Sequence, residues 1–143
     1  MASVPPDMFF KIMTRIHIFL YRKSRGKIWN KMIGMPVLLL TTTGRKSGQP
    51  RTTPLVFQRD DDDYLIVASK GGSDSHPAWY FNLETTPEVR VEVGGQAFAA
   101  RVTITKDEER DQIYERFKSI SDNFVRYEQM AQRTIPVVRL TPI

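Results

Sequence analysis

Residues 36–58 read PVLLLTTTGRKSGQPRTTPLVFQ and carry the clearest structural pattern of the chain. An apolar run rich in β-forming residues occupies 36–43, a turn with two glycines occupies 44–50, and a second β-rich run occupies 51–58. Short apolar runs that are bounded by turn residues indicate buried strands. The stretch therefore predicts an antiparallel hairpin. Pro54 places its second strand at a sheet edge or a bulge, because proline cannot donate to a strand ladder.

The rest of the chain adds further strands and several helices. A third strand is predicted at 64–69 after an acidic turn at 60–63, and residues 89–93 and 96–105 alternate around Gly94-Gly95, a two-residue hairpin signature. The final strand is predicted at 136–140. Helical patterns cover 8–22, a short segment from Pro77 with Ser75 as its N-cap, a segment from a capping box at 105–108 to about Ser119, and 123–133.

These elements predict one mainly β domain over residues 1–143, with about six antiparallel strands in a small barrel and helices packed outside it. The length of 143 residues fits a single domain. The order of elements does not fit a parallel doubly wound sheet, because most strands are joined directly by turns.

Composition restricts the chemistry. The chain has no cysteine and two histidines, which excludes disulfides, thiolate nucleophiles and cysteine-built metal sites, and we expect no metal. Its net charge of +5 is unevenly distributed, because residues 8–59 hold eleven basic residues and no acidic one. Such a positive half indicates an anionic partner: a phosphorylated cofactor, nucleic acid or a membrane surface.

The N-terminal segment 1–30 is predicted to form an amphipathic basic helix and tail. Its basic flank at 22–27 permits two interpretations. The helix could lie on an anionic membrane through residues 8–27, or pack on the barrel with a solvated basic tail, which is the commoner outcome. We expect no secretory signal, because Lys11 and Arg15 interrupt the first apolar stretches, and no apolar run reaches the ~20 residues that a spanning helix needs. We therefore expect a cytoplasmic protein, with membrane association as the open alternative.

Two glycine-containing turns are candidates for an anion site. The turn 44–48 (GRKSG) is neither a P-loop nor a dinucleotide fingerprint, yet it brings Arg45, Lys46 and nearby Arg51 together with glycines that allow close backbone approach. A second pair, Gly71-Gly72, follows the third strand. Strand ends that converge in this way could hold one phosphate group, although an ordinary basic turn explains GRKSG equally well.

Catalytic side chains are scarce. His17 and His76 have no spaced partners and are more typical of structural histidines, and Tyr127 is a candidate proton donor. Trp79 and Asn82 lie three residues apart on one helix face, where they could contact a flat ring system. An enzyme with so few reactive side chains most easily takes its chemistry from an organic cofactor.

Four segments in order, at 38–55, 68–72, 77–83 and 133–138, resemble the deazaflavin-dependent nitroreductases of actinobacteria. The resemblance spans about residues 8–143. It implies a split β-barrel related to the FMN-binding barrels and binding of the reduced deazaflavin coenzyme F-420. The implied reaction is hydride transfer from the coenzyme to an electron-poor acceptor, namely a quinone, an enone or a nitroaromatic.

The resemblance also implies site residues. The phosphate and glutamate tail would meet Arg45, Lys46, Ser47, Gly48 and Arg51, helped by Gly71 and Gly72. The deazaflavin would be lined by Thr53, Pro54, Leu55, Ala68, Ser69, Lys70, Ala78, Trp79 and Asn82. The catalytic hydroxyls would be Ser69 and Tyr127, and the acceptor would meet Val56, Phe124 and Tyr127. Relatives often carry several tyrosines before the final strand, whereas this chain keeps Tyr127, which favours a quinone or enone over bulky nitro compounds.

Two alternatives remain open. An FMN-dependent split-barrel oxidoreductase would share the fold, and a non-catalytic binder of anionic lipid or nucleic acid would use the basic half. Nucleic acid is disfavoured, because the aromatic residues do not alternate with the cations as stacking platforms do. The sequence leaves both a monomer and a dimer open.

Overall fold

The computed structural model describes residues 6–143. Four α-helices and eight strands lie in this part of the chain. The helices are α1 Pro6–Lys23, α2 Ala78–Thr85, α3 Asp107–Ile120 and α4 Asp122–Met130. The strands are β1 Lys31–Met32, β2 Met35–Thr43, β3 Pro50–Val56, β4 Gln58–Asp60, β5 Asp63–Val67, β6 Glu88–Val93, β7 Gln96–Ile104 and β8 Val137–Pro142.

The strands form one curled antiparallel sheet in the order β1-β2-β6-β7-β8-β5-β4, and β3 pairs with β2. Only Phe57 separates β3 from β4, so one bent strand pairs with β2 at its first end and with β5 at its second. The predicted mainly β fold with outer helices is confirmed. The predicted strand 51–58 is interrupted at Phe57, whose N–H donates to Pro36 O (3.0 Å), and β1 was not predicted.

Three apolar clusters hold the helices and the sheet together. The first fills the barrel interior and includes Leu38, Leu40, Ile66, Trp79 and Val91. The second lies between the outer face of β5 and β8 and helices α3 and α4, and the third lies between α1 and β2. Burial of apolar side chains on both faces of β2 and β5 explains their nearly continuous apolar sequences.

Two predicted helix caps were wrong, and the physical reason is competition from tertiary contacts. Helix α2 begins after Pro77, while the Ser75 hydroxyl instead accepts a hydrogen bond from Lys70 Nζ (3.2 Å). Thr105 does not cap α3, because its hydroxyl donates to the buried Val137 carbonyl (2.8 Å). The acidic turn 60–63 is anchored to the barrel, since Asp60 and Asp63 pair with Arg139 on β8 (2.9 and 3.0 Å).

Helix α1 docks on the barrel through its C-terminal half. The Tyr21 hydroxyl donates to Val37 O (2.9 Å) and accepts from Gly94 N (3.3 Å), and Arg22 makes a two-pronged ion pair with Glu92 (2.9 and 2.8 Å). A Cβ on Gly26 would lie 2.7 Å from Gly94 Cα, so the two glycines allow this close approach. Packing on the barrel is therefore confirmed for this half of α1. No described helix is long and apolar enough to cross a membrane.

Candidate coenzyme site

The turn between β2 and β3 is held closed by its own backbone. Gly48 N donates to Gly44 O and Gly44 N donates to Gln49 O, both at 2.8 Å. The Ser47 hydroxyl accepts from Gln49 N (3.2 Å) and lies so close to Gly44 that a Cβ there would be 2.6 Å away. This serine stabilises the turn, and Arg45 and Lys46 are both exposed.

Asn82 fixes this turn to helix α2. Its Oδ1 accepts from Arg45 N (3.0 Å) and its Nδ2 donates to the Thr42 hydroxyl (3.0 Å), with the side chain 6% exposed. The amide is therefore occupied with positioning the basic turn. Its predicted neighbour Trp79 is buried in the barrel core, while Ala78 at the start of α2 is exposed.

The residues of β3 divide between two faces of the strand. Register with β2 places Arg51, Thr53 and Leu55 on the face that continues into the barrel interior. Pro54 and Val56 pair with β2 residues that face α1. Residues 53–55 were predicted to line the deazaflavin ring, but their side chains do not all lie on one face of β3. Thr53 and Leu55 share a face with Arg51, and Pro54 lies on the opposite face.

The loop after β5 adopts a left-handed backbone. Lys70, Gly71 and Gly72 all have positive φ, at 46°, 64° and 87°. A Cβ on Gly72 would lie 3.2 Å from Tyr127 Cα, whereas a Cβ on Gly71 would meet nothing within 4 Å. The loop thus packs directly against α4 at Gly72 and is open at Gly71. Ala68, which precedes the loop, is fully buried.

Arg133 organises this loop and was not predicted as a site residue. Its Nε donates to Ser73 O (3.0 Å), and its Nη2 donates to Ala68 O (3.1 Å) and Ser69 O (3.0 Å). Its Nη1 contacts His76 Nδ1 at 2.9 Å. The segment 133–138 carried part of the family resemblance, but no local pattern indicates that its arginine reaches back to this loop.

A continuous set of contacts joins the two loops. The Arg45 guanidinium lies 4.6 Å above the Phe81 ring, and the Phe81 ring lies 5.6 Å from His76, which contacts Arg133. Burial, and secondarily the Arg133 charge, lowers the pKa of His76. A neutral His76 can accept a hydrogen bond from Arg133 Nη1 at its Nδ1. The basic turn and the glycine loop therefore form one assembled surface.

Tyr127 stands where α4 meets the glycine loop. Its half-buried ring lies 5.5 Å from Phe124 in an edge-to-face contact, and its hydroxyl bonds to no group of residues 6–143. Phe124 itself is 1% exposed and belongs to the core, so it supports the Tyr127 ring from behind. Val56 and Tyr127 both border the apolar cluster under α3 and α4.

Tyr114 on α3 holds the start of α4 in place. Burial raises the pKa of Tyr114 to about 12, so its hydroxyl stays protonated and donates to Phe124 O (2.7 Å).

This geometry fits an elongated anionic coenzyme. Exposed Arg45, Lys46 and Arg51 surround one turn, exposed Lys70 lies on the second loop, and the backbone of Tyr127 packs against that loop at Gly72. Guanidinium and ammonium groups are the natural partners of phosphate and carboxylate. The curled barrel and these two loops therefore define a class of protein that could hold an organic coenzyme on an anion-binding surface.

The comparisons identify the family. A family model described as F420H(2)-dependent quinone reductase matches residues 13–142, and the chain belongs to this family. It is an oxidoreductase of quinones, and its coenzyme is F-420. An F420H(2)-dependent quinone reductase of Mycobacterium tuberculosis is 42% identical over 135 residues, which cover 90% of this chain and 89% of the relative.

Solved structures agree with the fold. A structure named F420-H2 Dependent Reductase (FDR-A) has a TM-score of 0.67 and 35% identity, covering 73% of this chain and 93% of that one. A second structure, described as a domain-swapped dimer, has a TM-score of 0.69 and 29% identity, covering 95% of this chain and 99% of its own.

Proposed function

We propose that this protein binds reduced F-420 across the assembled surface of the turn 44–48 and the loop 68–72, and reduces a membrane-borne quinone beside Tyr127. The observation that carries this proposal is the continuous contact from Arg45 through Phe81 and His76 to Arg133. When bound, the coenzyme supplies the hydride. The protein's task is to hold donor and acceptor together and to deliver a proton.

The three cations near the turn are available for the coenzyme's phosphate and glutamate tail. Arg45, Lys46 and Arg51 are exposed, and none takes part in an ion pair within the described chain. Each hydrogen bond to a charged group contributes about 1.5–3 kcal/mol. Binding an anionic tail at this turn therefore uses charges that the fold leaves without a counter-ion.

Tyr127 is suited to deliver the proton that quinone reduction consumes. Hydride addition leaves negative charge on a quinone oxygen, and a proton converts that oxygen to a hydroxyl, which gives the quinol. Tyr127 is half-buried and its hydroxyl makes no hydrogen bond to any of residues 6–143, so its proton is free to be shared. Ser69, half-buried on the adjacent loop, is a second hydroxyl donor for the same oxygen.

We infer that the quinone enters past an exposed apolar surface. It comprises side chains of α1 and of the segment that follows it, with Phe10 73% exposed: Met8, Phe9, Phe10, Ile12, Ile16, Phe19, Ile28, Trp29, Met32 and Ile33. Exposed Lys11, Arg15 and Lys27 accompany it. Apolar surface of this extent marks an interaction site, and a basic rim matches anionic lipid. We propose that this surface docks on the cytoplasmic side of a membrane.

Two matched double variants separate the coenzyme site from the lipid surface. Arg45→Ala with Lys46→Ala should weaken binding of reduced F-420 by roughly 10- to 100-fold, measured by tryptophan fluorescence, and leave vesicle binding intact. Lys11→Ala with Arg15→Ala should weaken binding to vesicles of anionic lipid and leave coenzyme affinity intact. Unchanged coenzyme affinity in the first variant would place the phosphate elsewhere.

Turnover is followed by the visible absorbance of the oxidised coenzyme, with menadione as a soluble quinone. Tyr127→Phe should lower kcat more than coenzyme affinity, since the ring and its packing remain. FMN titrated in parallel tests the alternative flavin: tight FMN binding without a response to F-420 would contradict the proposal. Sedimentation of the chain alone tests the competing use of the apolar surface, which is contact with a second copy.

A further inference from the structure

The Arg133 guanidinium serves four acceptors in one stretch of chain. It donates to the carbonyls of Ala68, Ser69 and Ser73 and contacts His76 Nδ1, all within 2.9–3.1 Å. In sequence, these acceptors flank the left-handed segment 70–72, in which Lys70 is a non-glycine residue with a positive φ, a conformation that costs about 1–2 kcal/mol. Arg133 is half-buried, and burial lowers its pKa while nearby Asp74 opposes that shift.

A lysine at position 133 could not make the same set of hydrogen bonds as Arg133. The acceptors lie on different sides of a planar fork whose nitrogens point in fixed directions. An ammonium group has three donors on one atom and reaches acceptors only around that single point. A lysine at position 133 would keep the charge and lose most of the contacts, which makes Arg133→Lys an informative substitution.

The same segment connects the loop to the helix that carries Tyr127. Gln132 N donates to Asp74 Oδ1 (2.8 Å), and Gly72 lies directly against the backbone of Tyr127. Arg133 and Gln132 follow α4 after only a short stretch. The position of the glycine loop and the position of Tyr127 are therefore set by one group of contacts.

We propose that Arg133 is a positioning residue of the reductase: it holds the loop 68–76 in the conformation that accepts the coenzyme, at a fixed distance from Tyr127. The inference rests on the proposed coenzyme site. Arg133 does not touch the reacting atoms in this scheme. It acts by keeping Ser69 and Gly72 in place through their carbonyl and backbone contacts.

The test compares two arginines that bond backbone carbonyls. Arg110 donates twice to Ile135 O (3.0 and 2.9 Å), the carbonyl two residues after Arg133, and it makes no hydrogen bond to the loop. Arg133→Lys should raise the dissociation constant of reduced F-420 at least tenfold and leave the KM for menadione near its original value. Arg110→Lys should lower the melting temperature and leave coenzyme affinity unchanged.

Hydrogen exchange supplies a readout that needs no coenzyme. In Arg133→Lys, the amides of Gly72 and Ser73, which bond to Ser69 O and Lys70 O, should exchange faster than in the parent protein. If Arg133→Lys does not fold, His76→Ala removes one of the four contacts and should raise the coenzyme dissociation constant by a smaller factor, about two- to fivefold by the tenfold-per-1.4-kcal/mol scale.

The outcomes distinguish this inference from the proposed function. If Arg45→Ala with Lys46→Ala weakens coenzyme binding and neither Arg133→Lys nor His76→Ala does, the positioning role is overturned and the site stands. If none of these variants alters coenzyme affinity, the site itself is elsewhere. Equal weakening by Arg110→Lys would show a general effect of stability and would also overturn the role.

Discussion

Replacing Gly72 by alanine drives a methyl group into helix α4. The new Cβ would lie 3.2 Å from both Tyr127 Cα and Met130 Cβ, and Gly72 has a φ of 87°. Gly71 offers a matched control, because its φ of 64° is also positive and its Cβ would meet nothing within 4 Å. The two substitutions share the backbone strain, and only the first adds crowding against the helix that carries Tyr127.

The magnitudes follow from these two contributions. A left-handed backbone costs a residue with a Cβ about 1–2 kcal/mol, which applies to both variants. Crowding in a packed site adds about 1–3 kcal/mol, which applies to Gly72→Ala alone. Because one kcal/mol corresponds to roughly 2–4 °C in a domain of nearly this size, the melting temperature of Gly72→Ala should fall clearly further than that of Gly71→Ala.

Thermal unfolding and urea titration measure this difference, and turnover with menadione reports its effect on the site. We expect Gly72→Ala to lose more activity than Gly71→Ala for the same loss of stability. The crowded loop relaxes by moving away from Tyr127, and this movement disturbs the site. Adding Met130→Ala should recover part of the loss by making room. Equal destabilisation by the two glycine substitutions would refute direct packing of the loop on α4.

Three further predictions concern the contacts of Asn82, Tyr21 and His76. Asn82→Ala should weaken F-420 binding and cost about 1–3 kcal/mol of stability, because Arg45 N and the Thr42 hydroxyl lose their partner; fluorescence titration and urea unfolding check this. Tyr21→Phe should lower the melting temperature by loosening α1 and leave coenzyme affinity unchanged. The lowered pKa of His76 means that the folded chain protonates there at lower pH than the unfolded chain. Its contribution to stability is thus complete above about pH 6.5 and declines as the pH falls below it; urea unfolding in His76→Asn should lack that decline.

The sequence predicted the elements whose signals are local. The run 36–43, the glycine pair at 94–95 and the amphipathic pattern of α1 each fix a strand, a turn or a helix within a few neighbouring residues. It did not predict β1, which has two residues, nor the break at Phe57, where the chain leaves its pairing with β2 and begins to pair with β5. Both features depend on pairing with other strands, which a local sequence pattern does not encode.

The site shows the same division. The cations at 45, 46 and 51 and the glycines at 71 and 72 were visible because they are adjacent in sequence. The role of Arg133 was not, because its acceptors lie 57 to 65 positions away. Asn82 was expected to meet the coenzyme ring, while the structure shows its amide occupied by Thr42 and Arg45. A side chain's partner across the fold is decided by packing, which residue spacing alone does not encode.

The two tryptophans of the chain lie in different parts of the fold. Trp29, 37% exposed, stands in the apolar surface after α1 and stacks on His17 at 4.4 Å, while Trp79, 6% exposed, lies in the barrel on α2. The protein therefore carries one native optical reporter for each of its proposed encounters. Trp29→Phe leaves emission that follows coenzyme loading, and Trp79→Phe leaves emission that follows arrival at lipid, so the order of the two events can be timed without any attached dye.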